Sequence, residues 1–101
     1  MTASAATRVQ MGPSVYARTF DDGLVVLDLK RGEYFGLDGV GRRMWELLVD
    51  AKAIGQVADL LVEEYDVERD ALLADVIALA EQLLERGLLV LDPGQSGVGG
   101  Q

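Results

Sequence analysis

The change from β to α character falls within the stretch Glu33-Tyr34-Phe35-Gly36-Leu37-Asp38-Gly39-Val40-Gly41-Arg42-Arg43-Met44-Trp45. Its first part, Glu33–Leu37, is aromatic and aliphatic, which favours a short strand. Asp38 stands where helical spacing begins, and a carboxylate at such a position can accept hydrogen bonds from the free amides of a first helical turn. We therefore expect the last strand of a small sheet to lead directly into the first helix.

Two further strands are predicted upstream of this point. Val15–Phe20 and Leu24–Leu29 are rich in β-branched, aromatic and aliphatic residues. Asp21-Asp22-Gly23 lies between them, with Gly23 expected to supply a positive φ, and Lys30-Arg31-Gly32 leads into Glu33–Leu37. Two short turns joining three strands predict an antiparallel meander. The continuous apolar run of the second strand indicates a central position.

Helical spacing of apolar residues predicts three helices downstream, over about Val40–Val49, Ile54–Tyr65 and Glu68–Arg86. Gly87 is suited to end the third helix, and the apolar Leu88–Leu91 is able to return as a short strand. The predicted fold class is α+β, with a three-stranded antiparallel sheet followed by three helices in a winged helix-turn-helix-like arrangement.

The domain organisation predicted from these elements is a single packed unit over residues 14–91. Residues 1–13 are small and aperiodic, so we expect a flexible tail in which Arg8–Met11 is able to pair loosely with the sheet. Glycine and proline from Asp92 onward predict a disordered tail over residues 92–101.

Composition excludes several classes of function. The 101 residues contain no cysteine and no histidine, so disulfides, thiolate metal sites and the usual general base are absent. No apolar run reaches the roughly 18 residues of a membrane span, and the first ten residues lack the apolar block of a secretory signal. The net charge of −8 opposes binding to a phosphate backbone. We expect a cytoplasmic protein without metal, cofactor, membrane or nucleic acid.

The third predicted helix is more apolar than packing on one partner requires. Its apolar residues cover an arc of about 160°. One side of the arc holds Leu72, Val76, Leu79 and Leu83, bordered by Asp75, Gln82 and Arg86, and the other side holds Leu73, Ile77, Ala80 and Leu84. The plainer interpretation is that the whole arc packs in the core. The alternative is a peptide-binding groove, since an apolar strip with a polar rim has that form. We expect Val76 and Leu83 to be shared with the core, and Leu72, Asp75 and Leu79 to be more accessible.

The order of motifs from Val15 to Leu91 resembles a known family. The residues that carry the resemblance are Tyr34–Leu48, with the pattern Leu-Asp, small residues, Met-Trp-x-Leu-Leu, then Val57–Leu61 with Tyr65-Asp66-Val67, and Asp75-Val76 with Leu83 and Gly87-Leu88-Leu89. They are similar to the PqqD-like family of RiPP recognition elements, which bind the leader peptides of ribosomally synthesised, post-translationally modified peptides. A free-standing chain of this size resembles the version that serves lasso-peptide biosynthesis.

The resemblance implies a binding protein and not an enzyme. Its expected partners are the leader of a precursor peptide, a leader peptidase and an ATP-dependent macrolactam cyclase, and the leader-bound protein is expected to be a monomer. The leader would add as an antiparallel strand to the third predicted strand, with its side chains in the cleft beside the third helix. This assigns peptide binding to Glu33, Tyr34, Phe35, Gly36, Leu37, Leu72, Asp75, Val76, Leu79, Gln82 and Leu83.

Several of these assignments have alternatives. Successive strand residues point to opposite faces, so only one of Tyr34 and Phe35 is expected over the cleft, and Tyr34 is equally suited to the core. Glu33 is either a leader contact or a charge that prevents edge-to-edge aggregation. Together with Asp75 and the negative net charge, Glu33 favours a leader that carries Lys or Arg.

Two other functions fit the predicted topology. A winged-helix DNA-binding regulator has the same element order, but Glu68–Arg86 holds two arginines against five acidic residues, the wrong sign for a helix that faces phosphates. A homodimerising module could use the bare edge and the apolar strip to bind a second copy. An enzyme fits less well, because serine occurs only at Ser4, Ser14 and Ser96 and no base is available to orient a nucleophile.

Overall fold

The computed structural model describes residues 3–50 and 52–92. The elements along this part of the chain are β1 (Val9–Met11), β2 (Val15–Phe20), β3 (Gly23–Asp28), β4 (Glu33–Asp38), α1 (Gly39–Leu48), α2 (Ile54–Glu64), α3 (Arg69–Glu85) and β5 (Leu89–Leu91). The three predicted strands correspond to β2, β3 and β4. They and the three predicted helices are confirmed with bounds that differ by one residue, and the fold class is α+β.

The main sheet is an antiparallel meander in the order β2-β3-β4. Its central strand β3 buries Leu24 and Val26, and Val26 lies opposite Phe35 on β4. Because side chains alternate along a strand, Phe35 shares the face of Leu24 and Val26, which we call the inner face. Tyr34 lies opposite Leu27 on the other, outer face. The inner face packs on α1, and this order places β4 at an edge of the sheet.

Two turns hold the meander together by different means. Asp21, and not Gly23, takes the positive φ, at 50°, so the prediction for Gly23 is wrong. Gly23 instead pairs with Phe20 at the end of the β2–β3 ladder. Aspartate is among the residues that tolerate a positive φ, so Asp21 can adopt it. In the second turn the buried carboxylate of Asp28 accepts hydrogen bonds from the amides of Lys30 and Arg31, at 3.0 and 3.2 Å.

The strand-to-helix junction is where the sequence predicted it, but its chemistry differs. Asp38 has the extended backbone of an N-cap residue, with φ −146° and ψ 170°. Its carboxylate makes no capping hydrogen bond in the described structure, so the predicted side-chain cap is wrong. Gly39 follows with a φ of 52°. This left-handed residue, which glycine permits, turns the chain from β4 into α1.

The core lies between the inner face of the sheet and the helices. Trp45 of α1 is 2% exposed and belongs to one buried cluster with Val26 and Leu48. At the end of α3, the amides of Gly87 and Leu88 donate to the carbonyls of Leu84 and Leu83, at 3.1 and 3.0 Å. With the φ of 76° at Gly87, this is the Schellman arrangement predicted for the C-cap.

The N-terminal segment is more ordered than the sequence suggested. β1 pairs with β5 in a separate two-stranded sheet, and Val9 is fully buried. Ahead of it, the carbonyls of Ala5 and Thr7 accept hydrogen bonds from Gly55 and Ile54 at the start of α2. The flexible tail predicted over residues 1–13 is therefore wrong for residues 3–12. Small, aperiodic side chains gave no signal because the segment is held mainly through its backbone.

The predicted C-terminal tail over residues 92–101 lies, apart from Asp92, outside the described residues. Within residues 3–50 and 52–92, no helix is long and apolar enough to cross a membrane.

Candidate functional site

The candidate site begins with the free edge of β4. One side of this strand pairs with β3, and no other strand of the described chain pairs with the opposite side. Glu33, Tyr34, Gly36 and Asp38 are exposed along it, while Phe35 and Leu37 are half-buried against the core. Such an edge presents backbone donors and acceptors that an extended peptide can pair with.

The sheet has a second free edge at β2, so the edge alone does not define the site. All residues of β2 after Val15 are exposed. What distinguishes β4 is the neighbouring end of α3. The guanidinium carbon of Arg86 lies 5.1 Å from the centroid of the Phe35 ring. Arg31, in the turn before β4, donates from Nη1 to the carbonyl oxygen of Arg86 at 3.0 Å.

The contact between Arg86 and Phe35 indicates which side of α3 is turned toward β4. Asp75, Leu79 and Gln82 lie within about 40° of Arg86 around the helix, so they form one stripe with it. Leu79 is half-buried, whereas Asp75, Gln82 and Arg86 are exposed. We call the space between the inner edge of β4 and this stripe the cleft. It has an apolar floor at Phe35, Leu37 and Leu79 and a charged rim.

The structure divides the predicted helix residues into two groups. Leu72, Val76 and Leu83 are 3%, 0% and 0% exposed, so all three belong to the core. Burial of Val76 and Leu83 was expected, but the expected accessibility of Leu72 is wrong. Around the helix axis, Leu72 is rotated by about 40° from Arg86 toward the buried Val76. It therefore lies on the core side of the stripe. Asp75, Leu79 and Gln82 remain at the surface.

The strand residues are also divided. Phe35 and Leu37 face the cleft, and Tyr34 is 73% exposed on the outer face, so Tyr34 is neither a core aromatic nor a cleft residue. Gly36 also lies on the outer face, and a β-carbon there would meet no atom within 4 Å. The edge is therefore open above Gly36, beside a depression of about 270 Å³ lined in part by Phe20 and Val25.

The outer face carries an apolar row. Tyr16, Leu27 and Tyr34 stand opposite one another on the three strands. Tyr16 and Phe20 are 54% and 61% exposed, so this face leaves large side chains in solvent. Because it is opposite the inner face, a peptide in the cleft would leave it uncovered.

The ionisable groups with a shifted pKa lie away from the cleft floor, on the three helices and, for Asp50, in the turn after α1. Arg43 of α1 donates to both carboxylate oxygens of Glu64 at the end of α2, at 2.9 Å each, and to Glu46 at 3.2 Å. The hydrogen bonds from Arg43 lower the pKa of Glu64. The hydrogen bonds to Glu64 and Glu46 raise the pKa of Arg43. This network joins α1 to α2. No group of three acidic residues in the described chain could hold a metal ion.

Sequence reasoning missed the part played by two arginines. Arg86 was identified only as the border of an apolar strip, although its helical position, seven residues after Leu79, could have assigned it to the same stripe. Arg31 was identified only as a turn residue. Its hydrogen bond to α3 depends on how the turn at Gly32 approaches the helix end, which no local pattern encodes.

Comparison with known proteins identifies the family of this fold. Residues 23–89 match the family model described as coenzyme PQQ synthesis protein D (PqqD). A search of curated proteins finds no match. Among solved structures, TbiB1 in complex with the TbiA(beta) leader peptide is 35% identical, with a TM-score of 0.75 over 79% of this chain and 93% of that one. A lasso peptide synthetase B1 complexed with its leader peptide is 31% identical, with a TM-score of 0.77 over 82% and 98%.

The family match covers both edges of the cleft, from the start of β3 to the start of β5, and the two similar structures extend over nearly their whole length. The protein therefore belongs to the PqqD family.

Proposed function

We propose that this protein binds the leader region of a ribosomally synthesised precursor peptide and presents it to the maturation enzymes of lasso-peptide or related RiPP biosynthesis. The observation that carries the proposal is the free edge of β4 beside the Arg86 stripe of α3. Similarity to two proteins whose structures hold leader peptides supports it.

The proposed mechanism is strand addition to β4. The leader would pair as an antiparallel strand with Glu33–Leu37, and these backbone bonds would supply affinity with little selectivity. Since side chains alternate, every second leader residue would enter the cleft. There it would meet Phe35, Leu37 and Leu79 on the apolar floor and Asp75, Gln82 or Arg86 at the rim. Leu72, Val76 and Leu83 would support this surface from the core. Several hydrogen bonds and a few filled pockets, offset by the ordering of the peptide, give an expected Kd on the order of 10 nM to 10 μM.

The protein would act by binding and not by catalysis. In this scheme a leader peptidase and an ATP-dependent cyclase perform the covalent steps. The exposed outer face, with Tyr16, Phe20 and Tyr34, supports a role in presentation, because it stays available to a partner while the leader occupies the cleft. Tyrosine and phenylalanine are enriched at protein interfaces, and patches of this kind often mark them.

Fluorescence polarisation tests the binding proposal. The probes are labelled N-terminal segments of short peptides encoded beside the gene, together with the TbiA(beta) leader peptide. Saturable binding in the stated range, competed by unlabelled peptide but not by a scrambled peptide of the same composition, is the expected result. Failure of all these leaders to bind would contradict the proposal.

Mass spectrometry tests the absence of catalysis. A full-length precursor incubated with the pure protein, with and without ATP, should keep its mass. Cleavage or modification without a second enzyme would contradict the binding-only role.

A further inference from the structure

The cations of this acidic chain are unevenly paired. Carboxylates hold Arg42, Arg43, Lys52 and Arg69 in ion pairs. Three others, Lys30, Arg31 and Arg86, make no ion pair with any carboxylate of the described chain. These three lie together where the β3–β4 turn meets the end of α3, and Lys30 and Arg31 line one depression with Gly87. We call them the basic end of the cleft.

Three acidic residues lie near the basic end, but none forms an ion pair with it in the described chain. Asp28 is buried and its carboxylate accepts from two turn amides. Glu33 is exposed on the inner face beside Phe35, and Glu85 is exposed directly before Arg86, but within residues 3–50 and 52–92 neither forms an ion pair with Arg31 or Arg86. Arg31 donates through Nη1 to the Arg86 carbonyl. The Arg86 guanidinium lies over the Phe35 ring and donates no hydrogen bond to an acceptor within residues 3–50 and 52–92, so its five N–H donors can meet a ligand.

We propose, on the basis of the leader-binding function above, that Arg86 is a specificity determinant that selects an Asp or Glu of the leader. A residue directly opposite Phe35 on an added antiparallel strand would have its Cβ about 4.5–5.5 Å from that of Phe35, on the same face. A carboxylate there is within reach of the guanidinium on the ring, in a charge-assisted hydrogen bond.

The geometry also assigns this acidic residue to one half of the bound segment. β4 runs from Glu33 to Asp38, so an antiparallel leader passes Phe35 just past the middle of the paired segment, toward its own C-terminal end. Asp75 lies eleven residues before Arg86, about 16 Å away along α3. The stripe therefore carries opposite charges at its two ends. The overall net charge of −8 predicts a basic leader, but the basic end of the cleft selects the opposite sign locally.

A charge-swap experiment tests the inference. The probe is a labelled TbiA(beta) leader peptide in which each position in turn is replaced by Glu, Gln or Lys, and affinities are measured by fluorescence polarisation. The variants are Arg86→Glu and, to remove charge without reversal, Arg86→Gln. Arg18→Glu is the matched control. Arg18 is exposed on the outer face of β2, has no ion pair with a carboxylate of the described chain, and gives the same change in net charge. Melting temperatures check that each variant folds.

At one position in the C-terminal half of the bound segment, we expect the Glu peptide to bind wild type and Arg18→Glu about fivefold more tightly than the Lys peptide. The order should reverse with Arg86→Glu and vanish with Arg86→Gln. A Glu-to-Lys affinity ratio that is the same for wild type and Arg86→Glu at every position would overturn this inference alone. Failure of wild type to bind any peptide of this set and any leader encoded beside the gene would overturn the proposed function, and this inference with it.

Discussion

Arg86 lies over the ring of Phe35, with 5.1 Å between the guanidinium carbon and the ring centroid, although one residue ends the last helix and the other sits on the edge strand. Cation–π contacts of this kind are worth roughly 0.5–1 kcal/mol at an exposed site. The contact closes one end of the cleft and orients the stripe of α3 toward β4. In the proposed complex, a peptide paired with β4 would lie against Leu79 and the rim residues beside it.

Substitution of Leu79 by glutamate should weaken leader binding by about 2 kcal/mol or more, because it places a charge on the apolar floor of the cleft. Asp75→Ala should cost less, since Asp75 is exposed at the rim. Glu85→Ala, on the solvent side of α3, is the control and should be near neutral. Polarisation titrations with one leader measure all three. Equal affinities for Leu79→Glu and Glu85→Ala would mean that the stripe does not contact the peptide.

Leu72→Ala should act on stability and not on peptide contacts. The side chain is 3% exposed, so its truncation should leave a cavity and cost about 2–5 kcal/mol of unfolding free energy. Urea denaturation gives this value, and affinity measured on the fraction that remains folded should be within about twofold of wild type. A Leu72→Ala protein with unchanged stability and impaired binding would instead show that Leu72 contacts the peptide.

Trp45→Ala should be more damaging. Trp45 is 2% exposed within the core cluster between α1 and the sheet. The expected cost of about 3–5 kcal/mol is a large part of the stability of a domain of this size. Thermal denaturation followed by circular dichroism is the measurement. A melting temperature within a few degrees of wild type would contradict the packing described above.

Glu64→Gln should destabilise the protein only where Glu64 is ionised. Arg43 lowers the pKa of Glu64 in the folded protein, below the value of about 4.3 expected when unfolded. Stability from this pair is therefore fully present above the unfolded pKa and is lost as the pH falls through the lowered folded pKa. Both side chains are more than a third exposed, so the difference at neutral pH should be below about 1 kcal/mol. Wild type and variant should therefore converge in stability as the pH falls below the lowered pKa of Glu64. A stability difference that stays constant from neutral pH into this acidic range would exclude the pair as its cause.

Most of the fold follows from local patterns. The enrichment of β-branched, aromatic and aliphatic residues in β2–β4 and the helical spacing of apolar residues in α1–α3 predicted every one of these elements. The N-terminal segment could not be predicted in this way. Its contacts run from the carbonyls of Ala5 and Thr7 to the first amides of α2, and from β1 to β5. Such contacts depend on backbone groups brought together by the tertiary structure.

The candidate site was predictable only in part. The order of the predicted strands left β4 as an edge. Helical periodicity did not determine how far the predicted side of α3 is turned into the core, a side that holds Leu72, Val76, Leu79 and Leu83 with Asp75 at its border. Leu72 is an example, because it is buried although its position around the helix axis differs from that of the exposed Arg86 by only a few tens of degrees. Arg31 was not predictable as a site residue at all, because its hydrogen bond to Arg86 joins two separate elements.

The edge to which the peptide binds is the central claim, and backbone amide NMR of the labelled protein titrated with leader peptide tests it most directly. If the leader adds to β4, the largest shift changes will fall on Glu33–Asp38 and on α3 around Leu79, with Val15–Phe20 and Ile54–Glu64 little changed. If instead the largest changes fall on Val15–Phe20 or Ile54–Glu64 while Glu33–Asp38 stays constant, strand addition to β4 is not how this protein binds its peptide.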